Sequence, residues 1–509
     1  MGKRIVVNAG LVETRVAVQD GGLLTELYVE REGRRSIVGN IYKGVVTNVL
    51  PGMQAAFVDI GLSKDAFLYA GDYTANRGED EGEPGHEVEE DGADLDVGDA
   101  EAEARMPPAT PPIGDLLRRG QEVLVQVSKE SLGTKGARIT SFVSIPGRSI
   151  VYMPQARHVG VSRRIKDDAE RERLRGIVKE LRPPSGGFIV RTVAEGKGEE
   201  DLAADIQFLS RLWTEVQGRF EHASAPSLLH EEMDLTFRVV RDLFSPQVDE
   251  FLVDDPEAYD KCLRYTSSFV PQLASRVTRW DRDELIFEAT GIEKEIDKAL
   301  RRRVWLKSGG YIVIDHTEAL VAIDVNTGKY VGKRDFEETI LKINLEAVGE
   351  VVRQIRLRDL GGIIIIDFID MDRADHREQV FKALLKVLAD DKARTNVLEI
   401  SELGLVEMTR KRVRQSLQSL FCAPCPACKG SGVIKSDATL AAEILRKIQA
   451  GARDSPGPDV VVRAHPETAH HLEAERREAL ERLQKMISRK IAVQAVPSYH
   501  REQYDVAFK

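Results

Sequence analysis

Two segments near the middle of the chain, "ALVAIDVNTGKY" and "GGIIIIDFIDM", leave few folds open. The first reads as an apolar strand that ends with Asp324 and Asn326 at alternate positions, and the second as a strand that ends at Asp367. Between them lies "DFEETILKINLEAVGEVVRQIRLRDL", in which Phe336, Ile340, Ile343, Ala347, Val351 and Ile355 fall on one helical stripe. The pattern predicts a strand–helix–strand unit. If the strands pair in parallel with the helix as crossover, both acidic tips emerge at the C-terminal edge of one sheet. Two carboxylates converging there suit a hard cation such as Mg²⁺. In a chain that also carries nucleic-acid-binding features, this points to metal-assisted phosphodiester cleavage. The competing reading of an Asp after a buried strand is a helix cap or turn residue.

With 509 residues the chain is expected to hold several domains, and 42% hydrophobic with 31% charged residues is a soluble globular composition. No apolar run is long enough to span a membrane. The start, "MGKRIVVNAG", reads as a strand and not as a signal peptide. Four cysteines, three of them between 422 and 428, point to a reducing, cytoplasmic setting. The net charge of −10 is concentrated in one place: residues 77–105 carry 13 Asp/Glu against 2 Lys/Arg, so the remainder of the chain sums to +1. An acidic average therefore does not argue against a nucleic-acid partner.

Residues 1–38 read as short strands with a hairpin at Gly21–Gly22. The β pattern continues over 39–72 and resumes at 120–143. Residues 76–112, rich in Glu, Asp, Gly, Pro and Ala, interrupt that domain as a disordered acidic loop. The two β segments suggest a small five-stranded barrel of the OB type. Phe57 and Phe67, with Lys43, Lys64, Lys129 and Lys135 nearby in sequence, are what such a barrel uses to stack bases and hold phosphates; Phe57 within "AAFVDIG" suits a core position equally well. "VSRRIKDD" and "FIVRTVAEGKG" supply Arg163, Arg164, Arg191 and Thr192, either a phosphate-holding set or a charged strand rim. Cys425-x-x-Cys428 followed by Lys-Gly-Ser-Gly has the spacing of half a zinc site. Histidines, or two thiolates from a second chain, would complete the tetrahedron, and Cys422 is a spare ligand. No thioredoxin-like context is visible around the motif, which favours metal over redox chemistry.

"NIYKG", "AAFVDIG", "SRRI", "IVRT", "GGYIVIDHTEALVAIDVNTGK", "NLEA", "RLRDLGGIIIIDFIDM" and "CPACKGSG" occur in this order. Together they resemble the catalytic part of the RNase E/G family of bacterial endoribonucleases over nearly the whole chain. The length, without a long scaffold tail, fits the shorter branch of that family. The resemblance implies a multidomain α/β and α+β architecture. It comprises an RNase H-like domain split between 1–38 and 236–299, an OB-fold RNA-binding domain at 39–143 and a 5′-sensor domain at 144–235. A DNase I-like catalytic domain at 300–421, a zinc link at 422–432 and a small α/β domain at 433–509 follow. By motif match it makes Asp324 and Asp367 the Mg²⁺ ligands and has Asn326 orient Asp324. It places Phe57, Phe67 and Lys135, with Lys129 nearby, on RNA, and Arg191 and Thr192, with Arg163 beside them, on a 5′-monophosphate. Cys425 and Cys428 become Zn²⁺ ligands shared between two protomers, in a dimer or a dimer of dimers. The implied substrates are single-stranded, AU-rich RNAs, among them mRNA and rRNA precursors, cut to 5′-phosphate and 3′-hydroxyl ends. The acidic insert and Cys422 depart from the family pattern. A non-catalytic RNA-binding protein and a DNA-cleaving enzyme are the rival readings.

Overall fold

Why the central segments fold as they do is visible in their alternation. In the computed structural model, Leu320–Asn326 buries Val321, Ile323 and Val325 on one face and turns Leu320, Ala322, Asp324 and Asn326 to the other. Gly362–Asp367 does the same with Ile364 and Ile366. The two strands pair in parallel, with Ile323 opposite Ile366 and Asp324 opposite Asp367. The crossover is the helix Phe336–Leu357, which buries Ile340, Ile343, Ala347, Val351 and Ile355 against the sheet. Phe336 departs from the stripe expected of it: at the first helical position it is 75% exposed. Antiparallel strands complete the sheet, in the order Arg303–Trp305, Tyr311–His316, Leu320–Asn326, Gly362–Asp367, Leu405–Arg410, Thr395–Val397. A second helix, Ala374–Leu388, packs beside the first.

The residues described are 2–31, 36–73, 111–130, 136–328, 336–389, 391–401, 403–412, 414–455 and 457–509. Most of the acidic segment expected at 76–112, and Lys135, lie outside them. The chain divides into two units, Met1–Gln418 and Ser419–Lys509.

In the first unit the N-terminal strands are completed from far along the chain. Lys3–Ala9 pairs in parallel with Val248–Val253 and antiparallel with Glu13–Asp20. The sheet runs Val277–Arg279, Val248–Val253, Lys3–Ala9, Glu13–Asp20, Leu23–Arg31 over a core that includes Ile5, Val7, Val16, Phe244 and Phe251. Gly21 and Gly22, with φ of 57° and 84°, form the two-residue turn that closes its hairpin.

Between these two parts of the sheet stand two further β structures. Ile41–Leu50, Ala55–Asp59, Ala66–Tyr69, Arg138–Thr140 and Glu122–Lys129 form a barrel closed by pairing of the last with the first, and Ser227–His230 extends its edge. Gly44 sits where the long first strand meets its neighbour, since a Cβ there would come within 2.6 Å of Val58. The second is a four-stranded sheet, Val159–Val161, Gly187–Val190, Ile150–Met153, Ile145–Pro146, covered by the helices Asp168–Leu181 and Glu199–His222.

The second unit has a three-stranded sheet in the order Lys490–Ala495, Asp459–Ala464, Tyr504–Phe508, packed on the helices Asp437–Asp454 and Arg477–Ile487. Among the described residues no helix is long and apolar enough to cross a membrane.

Candidate active site

Register alone sets the two carboxylates side by side: Asp324 and Asp367 are direct neighbours at the ends of adjacent parallel strands, on the face turned away from the helices. Asn326, two residues on and on the same face, donates from Nδ2 to Asp324 Oδ2 at 2.8 Å. Burial, and then the charges of Asp324 and Asp370, push the Asp367 carboxyl above its ordinary value. Asp370 joins the cluster through the loop that follows Asp367. That loop is clamped from below by Asn344, fully buried in the crossover helix, which donates to Ile369 O at 2.9 Å and accepts from Ile369 N at 3.1 Å. Neither Asp370 nor the role of Asn344 was anticipated. The "NLEA" motif and the second Asp of "DFID" were the available signals.

Three acids held together with one Asn repel one another, and a cation relieves that repulsion. Among the described residues no group of three or more His, Cys, Asp or Glu is arranged as a metal cage. Two carboxylates are nonetheless the number Mg²⁺ commonly takes from protein, water and phosphate supplying the rest.

If Asn326 fixes the Asp324 carboxylate, Asn326→Ala leaves the fold intact and lowers kcat about 10–100-fold, the usual cost of removing a group that orients a ligand. Steady-state cleavage kinetics and a melting curve check this. An unchanged kcat would remove Asn326 from the site.

On the barrel, Phe57 and Phe67 are opposite one another across a strand pair, their rings edge to face at 5.4 Å. Both are half-buried, whereas Ala56, Val58, Ala66 and Leu68 fill the core, so these rings belong to the outer surface. Tyr69 extends the cluster, 4.5 Å from Phe67, with the Arg138 guanidinium 4.7 Å from its ring. Lys129 is opposite Arg138 in the neighbouring strand. Lys43 is a correction. It is buried, donating to Phe220 O and Ala223 O and paired with Glu122, because its strand position faces the helix Glu199–His222 and not solvent.

The second basic set is assembled by the parallel pairing of Val161 with Val190. It brings Ser162 and Arg163 beside Arg191 and Thr192, with the Ser162 and Thr192 hydroxyls 2.9 Å apart. Arg191 donates to Gly147 O at 2.8 Å and pairs with Asp242 at 2.7 Å. Arg164 turns elsewhere and donates to Lys392 O. Ser162 and Asp242 were not anticipated.

In the second unit Cys425 and Cys428 stand in a tight turn, with Lys429 N donating to Cys425 O at 2.7 Å and Lys429, Gly430 and Gly432 at positive φ. Amide hydrogen bonds from Gly430 and Gly432, and then the Cys425 side chain, hold the Cys428 thiol below its ordinary value. Two neighbouring thiols at this spacing fit half of a tetrahedral zinc site.

Residues 144–413 match the ribonuclease E/G family, and residues 424–508 match its thioredoxin-like domain. The second match corrects the expectation that Cys425 and Cys428 have no thioredoxin-like surroundings. The three-stranded sheet and two helices supply that context, yet the pair lies in a turn ahead of them and not at a helix start. Ribonuclease G of Escherichia coli (strain K12) is 44% identical over 99% of each chain. Ribonuclease G of Haemophilus influenzae is 40% identical over 99% of this chain and 98% of the relative. Ribonuclease E of Escherichia coli (strain K12) is 38% identical over 88% of this chain and 40% of the relative. The chain belongs to the ribonuclease E/G family. It is an endoribonuclease of that family, similar along its whole length to ribonuclease G.

Proposed function

We propose that the protein is a Mg²⁺-dependent endoribonuclease that cuts single-stranded, AU-rich RNA, is stimulated by a 5′-monophosphate, and serves RNA processing and mRNA decay in the cytoplasm. The observation that carries this reading is the direct opposition of Asp324 and Asp367 on one strand pair, with Asn326 bonded to the first. When bound, Mg²⁺ supplies positive charge for the phosphate and acidity for the attacking water. Asp324 and Asp367 hold the cation, and Asn326 keeps Asp324 in one rotamer. Asn344 fixes the loop that carries Asp370, so the charge cluster keeps its shape. The products expected are a 5′-phosphate and a 3′-hydroxyl.

The closed barrel, read as an OB-fold, offers Phe57 and Phe67 as stacking surfaces, with Lys129 two strands from Phe67, across Arg138. Thr192 and Ser162, flanked by Arg163 and Arg191, are the 5′-phosphate site in this reading. The N-terminal sheet with its late strands takes the RNase H-like role and the six-stranded sheet the DNase I-like one. Cys425 and Cys428 hold Zn²⁺ with the same two residues of a second protomer, giving a dimer or a dimer of dimers.

One RNA of fixed sequence, carrying either a 5′-monophosphate or a 5′-hydroxyl, tests the two-point grip. Anchoring one end raises the effective concentration of the rest at the carboxylates, by a factor that reaches 10²–10⁴ when the geometry matches. Cleavage is expected to be faster by tenfold or more with the monophosphate, and Thr192→Val is expected to erase the difference. Equal rates on both RNAs would sink the 5′-phosphate site and leave the carboxylate site standing.

A further inference from the structure

The catalytic sheet's open face carries aromatic residues that the reading above leaves without a task. On Arg303–Trp305 the middle residue, Val304, is buried, while Arg303 and Trp305 point the other way and Trp305 is 62% exposed. Trp305 is opposite Tyr311, and Tyr311 is opposite Asn326. Arg303 is opposite Val313, Val313 opposite Asp324, and Asp324 opposite Asp367. Two adjacent rows thus cross the same face, one of Trp305, Tyr311 and Asn326 and one of Arg303, Val313, Asp324 and Asp367. The Trp305 and Tyr311 rings meet edge to face at 5.3 Å, and the Arg303 guanidinium stands 4.3 Å from the Tyr311 ring.

We propose that Trp305 and Tyr311, with Arg303, form a base-stacking subsite for one nucleotide flanking the scissile phosphate. The proposal rests on the carboxylate site being the place of cleavage. An indole left largely in water beside a candidate nuclease centre offers the flat surface that an unstacked base needs, and stacking tolerates any base. Two strand spacings and a two-residue offset, about 12 Å on the diagonal, separate Trp305 from Asp324, with Asp367 one strand further, so a chain crossing the strands at Asp324 reaches the ring with a nearby nucleotide. Arg303, held over Tyr311, is placed to meet that nucleotide's phosphate. A paired base has its faces covered and gains nothing here, so the subsite selects single strands.

The test uses the full chain and short RNAs with one cut position, each carrying one abasic nucleotide at successive positions on either side. For the unaltered protein, one abasic position is expected to lower kcat/KM about tenfold, the cost of one lost base–aromatic stack. Trp305→Ala should lower kcat/KM on intact RNA about tenfold and abolish the sensitivity to that position, while Trp305→Phe should restore most of both. Equal abasic profiles for Trp305→Ala and the unaltered protein would overturn the proposal. So would a change in subunit mass by light scattering with the abasic profile intact, which would make this face a contact between copies of the chain. RNA binding by an Asp367→Asn variant, read as fluorescence quenching that Trp305→Phe removes, keeps the subsite testable without cleavage. Quenching together with undiminished cleavage by Asp367→Asn would overturn the catalytic reading and leave the stacking surface standing.

Discussion

Replacing Asp367 with Asn is expected to lower the rate of RNA cleavage by about a thousandfold or more and to leave single-stranded RNA binding within about twofold. The cation's stabilisation of the transition state amounts to several kcal/mol, and each 1.36 kcal/mol is tenfold in rate. Asn retains the shape of Asp367 and removes the charge that, on the proposed reading, would hold a cation beside Asp324. Binding should survive, because the aromatic surface of the barrel and the Ser162–Thr192 pair are built from other strands. The fold should survive as well. Burial and the charges of Asp324 and Asp370 raise the Asp367 carboxyl above its unfolded value, so the folded state favours the protonated form. Whatever stability that provides is present at low pH and is lost as pH rises through the raised value. At neutral pH the ionised group therefore costs stability, and Asn should be neutral or slightly stabilising. Single-turnover cleavage, a binding titration and a melting curve on one preparation separate these effects. An equal loss of binding and cleavage would assign Asp367 a structural role.

The second large effect is on stability. Arg410, buried at the end of Leu405–Arg410, donates to Asp391 at 2.7 and 3.1 Å, to Asp359 at 3.0 Å and to Leu360 O at 2.9 Å. Asp359 lies just past the crossover helix and Asp391 just past Ala374–Leu388, so one guanidinium ties both helix ends to the sheet. Arg410→Met fills much of the same volume but takes the guanidinium away from buried Asp391 and leaves buried Asp359 its longer pair with Arg414, at 3.4 Å. Breaking a buried pair from one side costs about 3–5 kcal/mol. The denaturant midpoint should fall accordingly with little change in slope. Adding Asp391→Asn should recover part of the loss, since the two sites share one network. A loss below about 1 kcal/mol would mean that the cluster contributes little net stability.

How legible this was in the sequence depended on the range of the forces involved. The strand–helix–strand unit was plain because alternation and a helical stripe are local patterns, and a parallel crossover leaves little freedom in where Asp324 and Asp367 end. Phe336 broke its stripe because a periodicity shows which face of a helix is apolar and not where along the helix burial begins. Lys43 was misread as a surface lysine because its carbonyl partners, Phe220 and Ala223, come from a helix nearly 180 residues away. Phe57 stood undecided between core and surface until strand register turned it outward beside Phe67. Asn344 looked like an ordinary helix residue, since its work depends on a loop 25 residues on. Trp305 and Tyr311 lie in two short strands whose relation to the carboxylates exists only once the sheet is assembled.

The ends of the products test the central reading most directly. A single-stranded RNA incubated with the protein and Mg²⁺, or with a chelator, is analysed for the groups left at the cut. Hydrolysis at the Asp324–Asp367 site predicts internal cutting only with Mg²⁺, leaving a 5′-phosphate and a 3′-hydroxyl. Cutting that persists in chelator and leaves a 2′,3′-cyclic phosphate would show attack by the RNA's own 2′-hydroxyl and would contradict the carboxylate site.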